Sequence, residues 1–165
     1  LLRLRLIAAA LIFNGDRLLM MKRSPERTLS PGMWAAVGGH LEPAEIGDPH
    51  AAVLREIYEE TGLAADRLED LTLRYILIRQ NGNEIRQQFF YTARTRETSL
   101  TPCAEGTLHW IPREQVLERE MPFVFRKLLE HFFESGPCRH VEVGTAGLDG
   151  NEAVIRWVPL ADPRV

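Results

Sequence analysis

The chain has only two cysteines in 165 residues, Cys103 and Cys138. Neither has a neighbour at metal-ligand spacing, and one pair makes no disulfide framework, so both are expected as reduced thiols. Long apolar runs are missing too. No window approaches the ~18 apolar residues of a membrane span. Neither sign of charge dominates: 20 Lys and Arg stand against 23 Asp and Glu, for a formal net charge of −3. That balance argues against a broad nucleic-acid surface. It does not exclude a small phosphorylated ligand, because a metal ion can supply the positive charge. Repeats and low-complexity stretches are absent as well. What is left, with 45% apolar and 26% charged residues, is an ordinary globular composition in a chain long enough to bury a core. The expectation is a cytoplasmic protein.

The opening Leu1–Ala10 carries Arg3 and Arg5 before an apolar run, which superficially suggests a targeting segment. The apolar residues continue through Phe13 into Asn14-Gly15, however, a strong hairpin signal, so a first strand is expected instead. That hairpin would run from Leu4–Phe13 through Asn14-Gly15-Asp16 to Arg17–Lys22. Ser24–Gly32 is polar and proline-bearing and reads as a loop. Leu71–Arg79 and Ile85–Ala93 flank a second Asn-Gly turn at Asn81-Gly82. Leu108–Ile111 is a short strand, Pro112 opens a helical turn, and Phe123–Phe133 has apolar residues at helical spacing, stopped by Gly136-Pro137. Two further strand segments, Val141–Val143 and Ala153–Pro159, are expected with Gly144–Asn151 joining them. This tail could be an appended hairpin, an added edge strand or a homodimer contact. Strands alternating with helices give a mixed α/β class, with a main domain over residues 1–135 and an extension over 136–165.

The densest chemistry lies in Arg55-Glu56-Ile57-Tyr58-Glu59-Glu60-Thr61-Gly62-Leu63. Asp48-Pro49 reads as an N-cap with proline in the first turn, and Gly62 reads as the stop, giving a helix over Pro49–Thr61. Glu56, Glu59 and Glu60 then occupy i, i+3 and i+4 on one face. Three carboxylates side by side repel one another and raise one another's pKa. A lone Glu-x-x-Glu-Glu is ordinarily a solvated helix face. Here the glycine pair Gly38-Gly39 and an acidic loop come just before it, and a hard divalent cation such as Mg2+ would resolve the repulsion.

With those residues in place the chain resembles the Nudix hydrolases. Their pattern of Gly, five residues, Glu, seven residues, then Arg-Glu-apolar-any-Glu-Glu-any-Gly-apolar is met by Gly39, Glu45, Arg55, Glu56, Ile57, Glu59, Glu60, Gly62 and Leu63. Nine residues rather than seven separate Glu45 from Arg55, a two-residue excess best placed at Ile46-Gly47. In the family the glutamate at Glu45 braces the arginine; with the longer loop Glu42 or Asp48 could take that part.

The resemblance implies an α/β/α sandwich with a mixed β-sheet, here with a C-terminal β extension, and a hydrolase of phosphorus-containing anhydrides. It implies metal ligation by Glu56, Glu59, Glu60 and the Gly39 carbonyl, with Mg2+ as cofactor and Mn2+ as an alternative. Catalytic roles fall to Glu56, Glu59, Arg55 as a bracing residue, and Glu105 as a base or further ligand, Glu56 being the alternative base. Arg23, His40 and Gly38 are expected near substrate phosphates. Phe13, Trp34, Tyr75, Phe90 and Trp110 are candidates for base stacking, though each suits the core better. The segments Leu19–Arg23 and Pro31–Trp34 look most like the MutT-type members. The expected partner is therefore a small nucleotide, a nucleoside triphosphate or its oxidised form, rather than nucleic acid or a membrane. ADP-ribose and dinucleoside polyphosphates are the alternatives, and a nucleotide-sensing module without turnover is a third.

Overall fold

A computed structural model describes residues 1–136 and 138–164. Alternation along the first apolar run builds its centre. Strand β1 (Arg3–Asn14) turns back into β2 (Arg17–Arg23), but only Phe13–Leu18 and Asn14–Arg17 pair across the turn. The two strands then part. β1 takes β4 (Val37–His40) antiparallel on one side and β6 (Glu84–Arg94) parallel on the other, while β2 pairs with the short β3 (Trp34–Ala35) and with β7 (Gly106–Pro112). Strand β5 (Glu69–Asn81) forms an antiparallel hairpin with β6. The run that superficially suggested a targeting segment is thus a central strand, with Ala8, Ala10, Leu11 and Ile12 fully buried.

Because successive residues of a strand point to opposite faces, β1 serves two cores. Ala8, Ala10 and Ile12 pack with Ala52, Val53 and Ile57 of helix α1 (Pro49–Thr61). Ala9 and Leu11 pack on the other face with Tyr75, Phe90 and, from helix α3 (Phe123–Ser135), Val124, Phe125, Leu128 and Leu129. A short helix, α2 (Arg113–Val116), follows Pro112 and adds Val116 to that second core. Leu128 and Leu129 are completely buried, which contributes roughly 1.5–3 kcal/mol each. A mixed sheet lies between helices, as the sequence pattern leads one to expect. Among the described residues no helix is long and apolar enough to cross a membrane.

In the tail the connection between the two strands is shorter than expected. The Gly144–Asn151 connection is mostly strand: β8 (Glu142–Asp149) and β9 (Glu152–Pro159) pair along their whole length around a tight turn at Gly150-Asn151. Gly144 is there for space and not for a bend. A Cβ on it would come within 2.5 Å of the Trp157 ring and 2.6 Å of Leu77. β8 lies parallel to β5, so the hairpin continues the main sheet and β9 forms its outer edge. Gly136 caps α3 as expected; Pro137, the other half of the expected stop, is outside the described residues.

Candidate active site

Helix α1 is fixed at both ends. The Asp48 carboxylate accepts the Ala51 N–H at 3.0 Å, and Pro49 takes the first turn. At the far end Gly62 is left-handed (φ +76) and its N–H bonds the Tyr58 carbonyl. A side chain there would be strained by that angle and would meet Thr101 Oγ1 at 2.4 Å. The register counted from Pro49 therefore holds, and Glu56 and Glu60 turn toward the Gly38-Gly39 backbone of β4, with the more exposed Glu59 beside them.

The loop before the helix settles which residue braces Arg55. Pro43–Glu45 form a single 3-10 turn, and Glu45 accepts the Glu42 N–H at 2.9 Å. The Glu45 carboxylate then takes Arg55 in a fork, Oε1 from Nε at 2.7 Å and Oε2 from Nη2 at 2.9 Å. The Arg55 hydrogen bonds hold Glu45 down to about 2. Glu42 and Asp48, the alternatives raised by the longer loop, do not take this part: Glu42 stays 3.9 Å from Arg55 Nε and Asp48 caps the helix. Ile46 is exposed, and a Cβ on Gly47 would meet nothing within 4 Å, so this part of the loop stands clear of the site. Arg55 also donates from Nη1 to Glu56 at 2.8 Å and to Glu59 at 3.1 Å, and from Nη2 to the His40 carbonyl at 3.0 Å. One guanidinium thus joins loop, helix and β4.

The glycine pair brings backbone against the carboxylates. A Cβ on Gly39 would sit 2.6 Å from the Glu56 carboxyl group, and one on Gly38 would strike the Ala8 carbonyl at 2.3 Å. The Gly38 N–H donates to Glu60 at 2.8 Å. Glu60 is only 5% exposed. Burial, then a hydrogen bond with the Glu105 side chain, pushes its carboxyl up to about 9. Burial also raises Glu56, against the pull of Arg55. Glu59 is half exposed. Glu105, just before β7, reaches the same point from far along the chain and is approached by Arg27 at 3.4 Å.

The structure thus brings together Gly38, Gly39, Arg55, Glu56, Glu59, Glu60 and Glu105. His40 is only half of this group. Its carbonyl faces Arg55, but alternation along β4 turns its ring to the opposite face, where it meets Arg5 at 3.1 Å. Burial and the charges of Arg5 and Arg86 lower its pKa. Arg23 is tied up locally. Its Nε donates to the Leu29 carbonyl and holds the Ser24–Gly32 loop. Tyr75 and Phe90 are core residues, and Phe13 stacks on Phe132. Trp34 packs at the edge of that core beside His109 and Arg119, and Trp110 bonds the Thr98 carbonyl. Arg27 and Thr101 escape sequence reading because each sits in an aperiodic polar loop; only a contact across the fold marks them.

The donors suit a hard divalent cation: carboxylate oxygens with a glycine backbone beside them. Glu60 and Glu105 in contact, one of them buried, need either a shared proton or a cation between them. Among the described residues no three such side chains already converge on one centre, because Arg55 draws Glu56 and Glu59 and the Gly38 amide draws Glu60.

Residues 3–132 match the family model of the NUDIX domain. The chain belongs to the Nudix hydrolase family. Among curated proteins it is 40% identical over 68 residues to the nucleoside triphosphatase NudI of Enterobacter sp. (strain 638), which covers 41% of this chain and 45% of that one. The chain spans less than half the length of the curated relatives it matches. Among solved Nudix structures, the MutT protein of Bacillus halodurans superposes with a TM-score of 0.66 at 21% identity, covering 93% of this chain and 97% of the other. The NUDIX domain of Shewanella oneidensis NrtR, solved with ADP ribose, gives 0.61 at 20% identity over 82% of this chain and 88% of its own. At such identities these likenesses establish the fold.

Proposed function

We propose that this Nudix domain is an Mg2+-dependent pyrophosphohydrolase that cleaves nucleoside triphosphates, oxidised forms included, to the monophosphate and pyrophosphate. The observation that carries the reading is the meeting of Glu60 with Glu105 beside Glu56 and the Gly38-Gly39 backbone. Glu56, Glu59, Glu60 and the Gly39 carbonyl would hold the ion. Bound there, Mg2+ would offset charge on phosphate oxygens and lower the pKa of a water.

The chain's own residues do the rest. Arg55 holds Glu56 and Glu59 in place by tying them to Glu45, so it is a positioning residue. Glu105 is the general base: it is the more exposed carboxyl of the Glu60–Glu105 pair, open to a substrate water. Glu60, whose pKa burial and Glu105 raise well above the ordinary carboxylate value, would give up its proton to ligate the cation. Arg23 and Gly38 would reach substrate phosphates only if their contacts with the Leu29 carbonyl and Glu60 gave way, and His40 would mark the boundary of that side. The name of the NudI relatives supports a triphosphate. ADP-ribose, which the Shewanella domain binds, and dinucleoside polyphosphates are the competing substrates. Keeping every carboxylate of the motif favours turnover over sensing alone. The setting is cytoplasmic and the partner a small nucleotide.

The test is a panel of nucleoside triphosphates, 8-oxo-dGTP, ADP-ribose and dinucleoside polyphosphates with Mg2+, using wild type and the Glu59→Gln and Glu60→Gln variants. The expected result is pyrophosphate release from triphosphates, with kcat falling ~10²-fold or more in each variant, the scale of losing an electrostatic element of a site. Full activity in both variants would remove the metal assignment. Faster turnover of ADP-ribose would replace the substrate.

A further inference from the structure

We propose that a row of arginines across β1, β6 and β5 forms a subsite for a phosphoryl group. Arg5 stands opposite Arg86, and Arg86 opposite Arg79, in register on three adjacent strands. They share the sheet face that carries Ala9, Phe90 and Tyr75, the face opposite α1. Arg3, paired with Glu84, stands at the end of the row.

One carboxylate serves this group. Glu84 accepts Arg5 Nη2 at 2.6 Å and Arg86 Nε and Nη2 at 3.1 and 3.0 Å. Among the described residues Arg3 and Arg79 have no carboxylate partner. The Nε of Arg79 is buried and has no hydrogen-bond partner among the described residues. Like charges directly across strands oppose one another, and an unpaired buried guanidinium N–H costs free energy. Both costs fall on a chain whose net charge is −3, so the positive charge is a local concentration. A phosphoryl group answers them together: it brings negative charge and several acceptor oxygens suited to the guanidinium fork. There is room at the Arg3 end of the row, in an open pocket of about 500 Å3 lined by Leu1, Arg3, Asn83 and Glu84.

His40 connects this row to the carboxylate cluster. Its ring meets Arg5 at 3.1 Å and its carbonyl accepts Arg55 at 3.0 Å. A ligand reaching across β4 would touch both. The phosphoryl group can belong to the substrate or to free inorganic phosphate acting as a regulator.

The direct test is calorimetric titration of inorganic pyrophosphate into the metal-free 165-residue chain, wild type against Arg3→Gln, Arg79→Gln and Glu84→Gln. It needs no turnover, so it stands or fails apart from the proposed reaction. Affinity should fall ~10-fold in each arginine variant, the equivalent of about 1.4 kcal/mol. It should rise several-fold in Glu84→Gln, a sign that loss of structure alone would not produce. Arg3→Gln is at an exposed position and keeps the test decisive should Arg79→Gln fail to fold. Equal affinity in all four proteins, or no binding by wild type, would overturn the subsite. Kinetics then separate the sources. A raised KM for a nucleoside triphosphate in Arg3→Gln assigns the group to the substrate. An unchanged KM, with added phosphate altering turnover of wild type but not of the variant, assigns it to a free ion.

Discussion

At the scale of single residues, Arg55 and Glu60 carry opposite electrostatic burdens. Arg55 is matched by Glu45, Glu56 and Glu59, and removing its main partner leaves a cation to pull on Glu56 and Glu59. Glu45→Gln is expected to keep the fold, since Glu45 lies in a surface loop, yet to lower kcat ~10-fold or more through misplaced Glu56 and Glu59, by the sensitivity of such sites to small displacements. Rescue by Glu45→Asp, with a shorter fork, should be partial. Glu60 is the reverse case. Its folded pKa of about 9 lies above the ordinary carboxylate value of 4.5, so the folded protein holds one more proton than the unfolded chain between those values. Stability of the metal-free protein should therefore fall as pH rises from about 4.5 to about 9. Glu45, lowered to about 2, acts in the other window: its contribution is present above about 4.5 and is lost as pH falls toward 2. Thermal melts of metal-free wild type and Glu60→Gln from pH 5 to 9 check the first sign, the variant being the flatter of the two.

At the scale of elements, α1 was legible almost to the residue. Asp48, Pro49 and Gly62 each have a local mechanism that sequence displays: a cap, a fixed φ and a left-handed stop. Asp48→Ala should cost about 1 kcal/mol of stability, and Gly62→Ala about the same or more, with strain and the Thr101 contact both opposing it. Denaturant unfolding measures both. The brace was not legible. Whether Glu42, Glu45 or Asp48 would meet Arg55 depended on how a longer loop folds, and the Pro43–Glu45 turn that delivers Glu45 has no strong local signal. Glu105 was placed by resemblance alone. It comes to Glu60 through the pairing of β2 with β7, a long-range register that periodicity does not encode.

At the scale of the whole molecule, the outer hairpin of the sheet is what sequence under-reads. Gly144 and Gly147 look like turn residues, so the second half of β8 passed for a loop; the ring of Trp157, which requires Gly144 to be bare, is far off in sequence. Trp157 also stacks on His131 of α3 and meets Tyr75, edge to face. The hairpin is thus part of the α3 core, and Trp157→Ala should cost about 2–3 kcal/mol, somewhat under the full-burial value, measured by denaturant unfolding. Deleting residues 136–165 would bare the β5 edge as well, and such edges pair with other chains; sedimentation should show self-association of the truncated protein. The proposed metal ligands lie at one end of α1, where the Gly38-Gly39 backbone, the loop and the start of β7 converge. The central claim is that these carboxylates hold a divalent ion. Mn2+ binding followed by electron paramagnetic resonance, in wild type against Glu56→Gln and Glu60→Gln, tests it without requiring a substrate. The expected result is a site in wild type that is weakened at least ~10-fold by either substitution, consistent with loss of one charged ligand. Equal Mn2+ affinity in all three proteins would contradict it.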